Sequence, residues 1–141
     1  MMATQRGTKI TVLEKIPLFA GLSQRELDRV SRLTQEIEVP AGQRVATLGE
    51  AGRELFIIVD GRALVSTRRG RSVYLGPGDC FGEMSLIDGE PRSADVQAVT
   101  PMRLLAVGYR EFWQLLDEHL SIVRKITRTL ARRLREAERL P

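Results

Sequence analysis

Glycine residues are concentrated in the middle of this chain, and their distribution constrains the fold more than any other feature of the sequence. Nine of the twelve glycines fall between Gly42 and Gly89, where they separate short runs that are apolar or alternate between apolar and polar residues. The runs predicted to be strands, which continue beyond this region, are 36–39, 44–48, 55–59, 62–67, 72–75, 92–99 and 102–107. Strands this short and evenly spaced are typical of a small antiparallel sandwich or barrel. At 141 residues, the chain is expected to be a single domain.

Two turns are predicted within this series of strands. The dipeptide Asp60-Gly61 follows the continuously apolar run 55–59 and is typical of a two-residue hairpin. We therefore expect the run 62–67 to return antiparallel to 55–59. The polar stretch 68–71 predicts the second turn.

Helical patterns flank the predicted strands. Ser23 and Glu26 form a capping box, which predicts a helix from about Gln24 to Leu33. After residue 107 the apolar period changes to that of a helix, and Ser121 is a candidate N-cap for a C-terminal helix. The apolar residues of this last helix recur at heptad-like spacing and are Val123, Ile126, Leu130 and Ala137.

Composition argues against several classes of function. No apolar run approaches the roughly 20 residues of a membrane-spanning helix, and residues 1–7 contain no signal-peptide core, so a cytoplasmic location without membrane contact is expected. A single cysteine, Cys80, excludes an internal disulfide and fits a reducing compartment. His119 is the only histidine, so we expect neither a metal site nor a nucleophile–base pair, and the chain is not predicted to be an enzyme.

The net charge of +4 is unevenly distributed along the chain. From His119 onward, seven Lys or Arg residues accompany two Glu residues, whereas the rest has fifteen basic and sixteen acidic side chains. The basic helix is interpreted as a solvated face opposite an apolar stripe, as a dimerisation helix or, with least support, as a nucleic-acid contact. Because the sequence ends at Pro141, no room follows for a helix-turn-helix, and we do not expect specific DNA binding.

Residues 81–96 read Phe-Gly-Glu-Met-Ser-Leu-Ile-Asp-Gly-Glu-Pro-Arg-Ser-Ala-Asp-Val and predict a site for an anionic ligand. Backbone N–H groups at the start of a short helix and the guanidinium of Arg92 would face the anion. Glu83 would repel that anion. It can instead accept a hydrogen bond from a neutral donor of the same ligand, such as a sugar hydroxyl.

The stretch 81–96 closely resembles the phosphate-binding cassette of cyclic nucleotide-binding domains. The matching residues are Phe81, Gly82, Glu83, Pro91, Arg92, Ser93 and Ala94. A looser resemblance extends from Leu13 to Leu140. It implies an α+β, mainly β fold, namely an eight-stranded antiparallel β-roll of jelly-roll type with N-terminal and C-terminal helices. The implied ligand is cyclic AMP, with cyclic GMP left open by Ser93, and no further cofactor is implied.

The resemblance also assigns roles to individual residues. Those implied to bind the phosphate are Arg92, Ser93, Ala94, Ser85 and Leu86, the last two through backbone N–H groups. Glu83 would bind the ribose 2′-hydroxyl, and Gly82 would allow the backbone to approach the sugar. For Arg92, the alternative without a ligand is an ion pair with a nearby acid.

The base-binding end of the site is less well specified. Val65 and Val73 are candidates for base contacts, and each is equally well explained as a core valine. The segment 131–134 resembles the lid helix of the bacterial catabolite-activator type, in which hydroxyl residues further along contact the adenine amine. The matching positions here are Ala137 and Glu138, so that contact is missing or replaced.

Three functions remain open from the sequence. The chain is a sensor that passes ligand binding through its C-terminal helix to a protein effector or a second copy. Alternatively, it is a scaffold that has the fold without the ligand, or a regulatory fragment of a larger transcription factor or enzyme. The predicted segments are a flexible N-terminus (1–12), a ligand-binding β-roll with flanking helices (13–120), and a lid or dimerisation helix (121–141).

Overall fold

The computed structural model describes residues 6–139. Its strands are β1 (Gln35–Val39), β2 (Arg44–Ala46), β3 (Glu54–Asp60), β4 (Ala63–Thr67), β5 (Ser72–Leu75), β6 (Cys80–Phe81), β7 (Ala94–Ala98) and β8 (Met102–Gly108). Its helices are α1 (Arg6–Leu13), α2 (Gln24–Ser31), α3 (Glu83–Asp88), α4 (Tyr109–Glu118) and α5 (Leu120–Glu138), with a short 3₁₀ turn at Pro17–Phe19.

The strands form two antiparallel sheets in the orders β1–β8–β3–β6 and β2–β7–β4–β5. This arrangement confirms the predicted eight-stranded roll with helices at both ends, and each run predicted to be a strand overlaps an observed one. None of the helices within residues 6–139 is long and apolar enough to cross a membrane.

Strand β3 is buried on both faces, which explains its continuously apolar sequence. Leu55 and Ile57 point toward the helices and join one hydrophobic cluster, whereas Phe56 and Ile58 join a second cluster between the two sheets. The second cluster also contains Phe81, whose ring stacks on that of Phe56 at a centroid distance of 5.2 Å. The roll interior and the helical layer therefore share one strand.

The predicted hairpin at Asp60-Gly61 is wrong. β3 pairs with β6 and β8, whereas β4 pairs with β5 and β7, so the chain passes from one sheet to the other at this point. The favoured two-residue turn of type I′ requires a positive φ at both central residues. Gly61 has a φ of 95°, but Asp60 does not have a positive φ.

The N-terminal helices differ in part from the predicted boundaries. The capping box of α2 is present, because Ser23 Oγ accepts from the Glu26 N–H and Glu26 Oε1 accepts from the Ser23 N–H. Residues 6–12, which the sequence assigned to a flexible N-terminus, are helical in α1, and residues 1–5 lie outside the described residues.

Ser121 does not cap α5, which begins one residue earlier at Leu120. Its hydroxyl donates instead to Glu26 Oε2, and Lys125 Nζ donates to Glu26 Oε1 at 2.6 Å. Although burial raises the pKa of Glu26, the hydrogen bonds from Lys125, Ser121 and the Ser23 N–H lower it to about 2. This polar cluster fixes the first turns of α5 to α2.

The two halves of α5 have different surroundings. Ile122 and Ile126 are buried in the cluster shared with the other helices, so part of the apolar stripe is covered by this chain itself. Every residue from 131 to 139 is exposed. The second half of α5 therefore extends along the surface of the molecule.

Candidate functional site

A cavity of about 210 Å³ lies between the β4–β5 hairpin and the segment 80–96. Its lining residues are Ala46, Val65, Val73, Leu75, Cys80, Phe81, Gly82, Glu83, Met84, Ser85, Arg92, Ser93, Ala94 and Val96. Of the larger surface clefts, those of about 330, 380 and 250 Å³ contain no residue of the cassette 81–96, and one of about 350 Å³ contains only Ser93 of it. Most of the site residues predicted from the sequence therefore line the 210 Å³ cavity.

Arg92 is held inside the fold with little compensation for its charge. Its side chain is 7% exposed, and its guanidinium lies 5.6 Å from the centroid of the Phe56 ring. Nη2 is 3.8 Å from Glu54 Oε1, and Nη1 donates a long hydrogen bond of 3.5 Å to the Gly82 carbonyl. Burial lowers the pKa of Arg92, and the Glu54 carboxylate opposes this shift. Arg92 remains charged, because arginine is not deprotonated in proteins.

Two glycines make room for the Arg92 side chain. A Cβ at Gly52 would lie 2.2 Å from Arg92 Nε, and a Cβ at Gly82 would lie 2.4 Å from Nη1. Gly82 also has a φ of 89°, which disfavours other residues. Gly82 belongs to the motif found in the sequence, whereas Gly52 was not predicted, because it lies 40 positions before Arg92 in the irregular segment that precedes β3.

Glu83 is the first residue of α3, and two groups approach its carboxylate. The Cys80 thiol donates to Oε2 at 3.7 Å, and Arg133 Nη2 of α5 lies 3.8 Å from Oε1. Burial, together with the nearby Glu83 charge, raises the pKa of the Cys80 thiol to about 12, so it stays protonated as a donor. Arg133 was not among the predicted site residues, because sequence spacing does not show which turn of α5 reaches α3.

The predicted backbone donors differ in their surroundings. Ser85 is buried and lines the cavity, whereas Leu86 does not line it. The Leu86 N–H donates to the Gly82 carbonyl at 3.2 Å, and its side chain packs in the helical cluster. Because the first N–H groups of a helix lack partners within it, Ser85 and the two residues before it are the better candidates for an anion.

The hairpin provides the apolar wall of the cavity. Val65 and Val73 are paired directly across β4 and β5, and both line the cavity. Val73 is 54% exposed, so it is not a plain core residue. Ala137 and Glu138 are exposed near the end of α5 and do not line the cavity, so the structure does not bring them to the predicted base site.

Within residues 6–139, no group of three or more His, Cys, Asp or Glu side chains is placed to hold a metal ion. The cavity provides the buried cation of Arg92, the carboxylate of Glu83 and an apolar wall that includes Val65 and Val73. These groups suit a small organic anion that carries both a hydroxyl group and an apolar ring.

Comparisons with known proteins agree with this description. A family model described as "Cyclic nucleotide-binding domain" matches residues 36–119. A cyclic nucleotide-gated potassium channel of Mesorhizobium japonicum is 38% identical over 84% of this chain and 33% of its own length. The cyclic AMP receptor protein of Thermus thermophilus is 35% identical over 86% of this chain and 59% of its own length. The chain thus spans about a third of the channel and about three fifths of the receptor protein.

A solved structure has a similar fold over nearly its whole length. The N-terminal domain of a transcriptional regulator from Streptomyces coelicolor superposes with a TM-score of 0.81 and 29% identity. The match covers 90% of this chain and 92% of that domain.

Proposed function

The chain belongs to the cyclic nucleotide-binding domain family, and we propose that it is a sensor that binds cyclic AMP and passes the binding event on through α5. The cavity beside the cassette is the proposed ligand site. The relatives named above are a channel, a receptor protein and a transcriptional regulator, which supports a regulatory role rather than catalysis.

The observation that carries this proposal is the position of Arg92. A buried guanidinium whose ion pair is 3.8 Å long and whose hydrogen bond is 3.5 Å long retains most of its capacity to donate. A cyclic phosphate offers two oxygens to such a planar fork and satisfies it by charge-assisted hydrogen bonds. Ser93 and Ala94 follow Arg92 along the same wall and complete the proposed phosphate site with Ser85.

Glu83 is the proposed ribose ligand. Its carboxylate lines the same cavity as Arg92, so one ligand can contact both residues. The glycine before it lets the backbone approach the sugar. Val65 and Val73 are the proposed apolar contacts of the base, which leaves the amine of adenine without an assigned partner in α5.

Cyclic AMP is proposed over cyclic GMP because the Thermus thermophilus relative is named for cyclic AMP. Val65 and Val73, the proposed base contacts, offer no side-chain hydrogen bond to either base, so they do not add to this preference.

The contact between Arg133 and Glu83 supports transmission through α5. Arg133 Nη2 lies 3.8 Å from the carboxylate that is proposed to bind ribose. A ligand that hydrogen-bonds to Glu83 changes the interaction available to Arg133, so the second half of α5 responds to binding. The first half stays fixed by Glu26, Ser121 and Lys125. We propose residues 13–120 as the ligand-binding unit and 121–141 as the responding helix, in a cytoplasmic protein.

Calorimetric titration with cyclic AMP, cyclic GMP and 5′-AMP tests the proposal. We expect saturable binding that is tightest for cyclic AMP and weakest for 5′-AMP, which lacks the cyclic diester. Absence of saturable binding at millimolar cyclic nucleotide would refute the sensor function. Sedimentation with and without nucleotide then distinguishes an effector-coupled monomer from transmission to a second copy.

A further inference from the structure

The tip of the β4–β5 hairpin carries three arginines directly beside the cassette. Thr67, the last residue of β4, pairs with Ala94 of β7, so the tip that follows it adjoins the segment that contains Arg92. Arg68, Arg69 and Arg71 line an open hollow of about 350 Å³ together with Thr67 and Ser93. Ser93 also lines the 210 Å³ cavity, so the two spaces meet at this residue.

The hairpin tip is a defined turn. The Thr67 N–H donates to the Arg71 carbonyl at 2.9 Å, and the Gly70 N–H donates to the Thr67 carbonyl at 3.0 Å. The Arg71 N–H donates to Thr67 Oγ1 at 3.2 Å. These bonds hold the arginine backbone in place beside Ser93.

The three guanidinium groups lack partners in the part of the chain that the structure describes. Other basic residues near the cassette have acidic partners: Arg92 with Glu54, Arg133 with Glu83 and Arg44 with Asp95. Asp95 is the acid on the adjoining strand, and it is already bound by Arg44 at 3.5 Å and by the Leu48 N–H at 2.7 Å. Three like charges within four residues repel one another, and an anion from outside the chain would relieve this repulsion.

We propose that Arg68, Arg69 and Arg71, together with the Ser93 hydroxyl, form an outer anion subsite continuous with the nucleotide cavity. Its ligand class is a cyclic dinucleotide, whose two phosphodiesters would occupy the inner site at Arg92 and the outer subsite. The inner guanidinium is buried and suits a desolvated phosphate, whereas the exposed outer ones suit a phosphate that keeps part of its hydration. This inference rests on the proposed function, because it extends the same site.

The test compares cyclic AMP with cyclic di-AMP and cyclic di-GMP by calorimetry at about 0.15 M salt, where distant charges are screened. The variant replaces Arg68, Arg69 and Arg71 with Gln. The control replaces Arg124, Arg128 and Arg135 with Gln as well. These arginines are exposed on α5, and their replacement removes the same total charge. Both sets are on the surface, and thermal unfolding verifies that each variant is folded.

We expect the wild type to bind at least one cyclic dinucleotide. The hairpin variant should weaken that binding about tenfold or more, as the loss of charge-assisted hydrogen bonds predicts, and weaken cyclic AMP binding less than about threefold. The control variant should leave both affinities within about twofold.

Three results would overturn the inference. The wild type binds cyclic AMP but no cyclic dinucleotide, or the hairpin variant loses affinity equally for both ligands. The third is that the hairpin variant loses affinity only for a thymidine oligonucleotide added as a polyanion. The last would indicate a nucleic-acid contact at the tip. A further outcome is that the chain binds a dinucleotide through the hairpin tip but does not bind cyclic AMP. This result would support the outer subsite and refute cyclic AMP as the ligand. Absence of binding by every nucleotide would refute both.

Discussion

Replacing Arg92 with Gln separates its proposed ligand role from a structural one. If Arg92 donates two charge-assisted hydrogen bonds of about 1.5–3 kcal/mol each to the phosphate, their loss costs about 3–6 kcal/mol. The Gln amide recovers about 1 kcal/mol as a neutral donor. We therefore expect cyclic AMP affinity to fall by about 2–5 kcal/mol, or from roughly 30-fold to several thousandfold.

The same substitution should hardly change the stability of the free protein. The Glu54 side chain is 49% exposed and 3.8 Å from Arg92, so this ion pair is worth at most about 1 kcal/mol. The contact with the Phe56 ring is worth a similar amount, and releasing a buried cation offsets both losses. The free energy of unfolding, measured with urea in the absence of nucleotide, should change by no more than about 1 kcal/mol.

Arg44→Gln is the matched control. Arg44 is 51% exposed, pairs with Asp95 at 3.5 Å and does not line the cavity, so its loss should leave affinity within about twofold. Two results would refute the reasoning about Arg92. One is binding by Arg92→Gln within about threefold of wild type. The other is a loss of stability above about 3 kcal/mol, which would make Arg92 a residue of the fold.

Three further predictions follow from individual contacts. Glu26→Gln should lower the free energy of unfolding by about 2 kcal/mol at pH 7, since a buried charged acceptor is lost. The pKa of Glu26 is lowered from 4.5 to about 2, so its contribution is complete above pH 4.5 and is lost as pH falls toward 2. Urea titrations should show this pH dependence in wild type and not in the variant. Gly52→Ala places a Cβ 2.2 Å from Arg92 Nε and should weaken cyclic AMP binding about tenfold or more. Gly76→Ala, where no atom lies within 4 Å, should leave binding unchanged, and equal calorimetric affinities for the two variants would contradict the assignment. Wild type should bind 2′-deoxy cyclic AMP about tenfold more weakly than cyclic AMP, whereas Glu83→Ala should bind both equally; a preference that persists in the variant would exclude Glu83 as the ribose ligand.

The strands were predictable because each is defined locally, by its own side-chain pattern and by the turn residues around it. The pairing of strands is not local. Asp60-Gly61 has the composition of a hairpin, yet the preference of β3 for β8 and β6 carries the chain into the other sheet. Burial of Leu55 and Phe56 on opposite faces of β3 shows that this strand serves two hydrophobic clusters. The continuously apolar run 55–59 indicates burial on both faces, but it does not indicate which strands pair with β3.

Much of the candidate site was predictable for a related reason, since Gly82, Glu83 and Arg92 lie within eleven consecutive residues. The residues that were missed are distant in sequence and act through space. Gly52 contributes only the space that its missing side chain leaves for Arg92. Arg133 contacts Glu83 because the path of α5 brings it close to α3. Ala137 and Glu138 do not line the cavity, and the α5 residue that reaches Glu83 is Arg133, about one turn earlier in the helix.

The exposed second half of α5 has a thermodynamic consequence. Eight residues of helix, from 131 to 138, are too few to be stable alone in water, because nucleation is costly and each turn adds little. Residues 131–139 must therefore depend on continuity with the buried turns before them, with the Arg133 contact as an additional tether. We expect their amides to exchange with solvent far faster than those near Ile126, by a helix–coil equilibrium of the terminal turns. A nucleotide that alters the Glu83–Arg133 contact would then change the helical content of this segment. The response of α5 to binding would therefore be a change in its degree of folding as well as in its orientation.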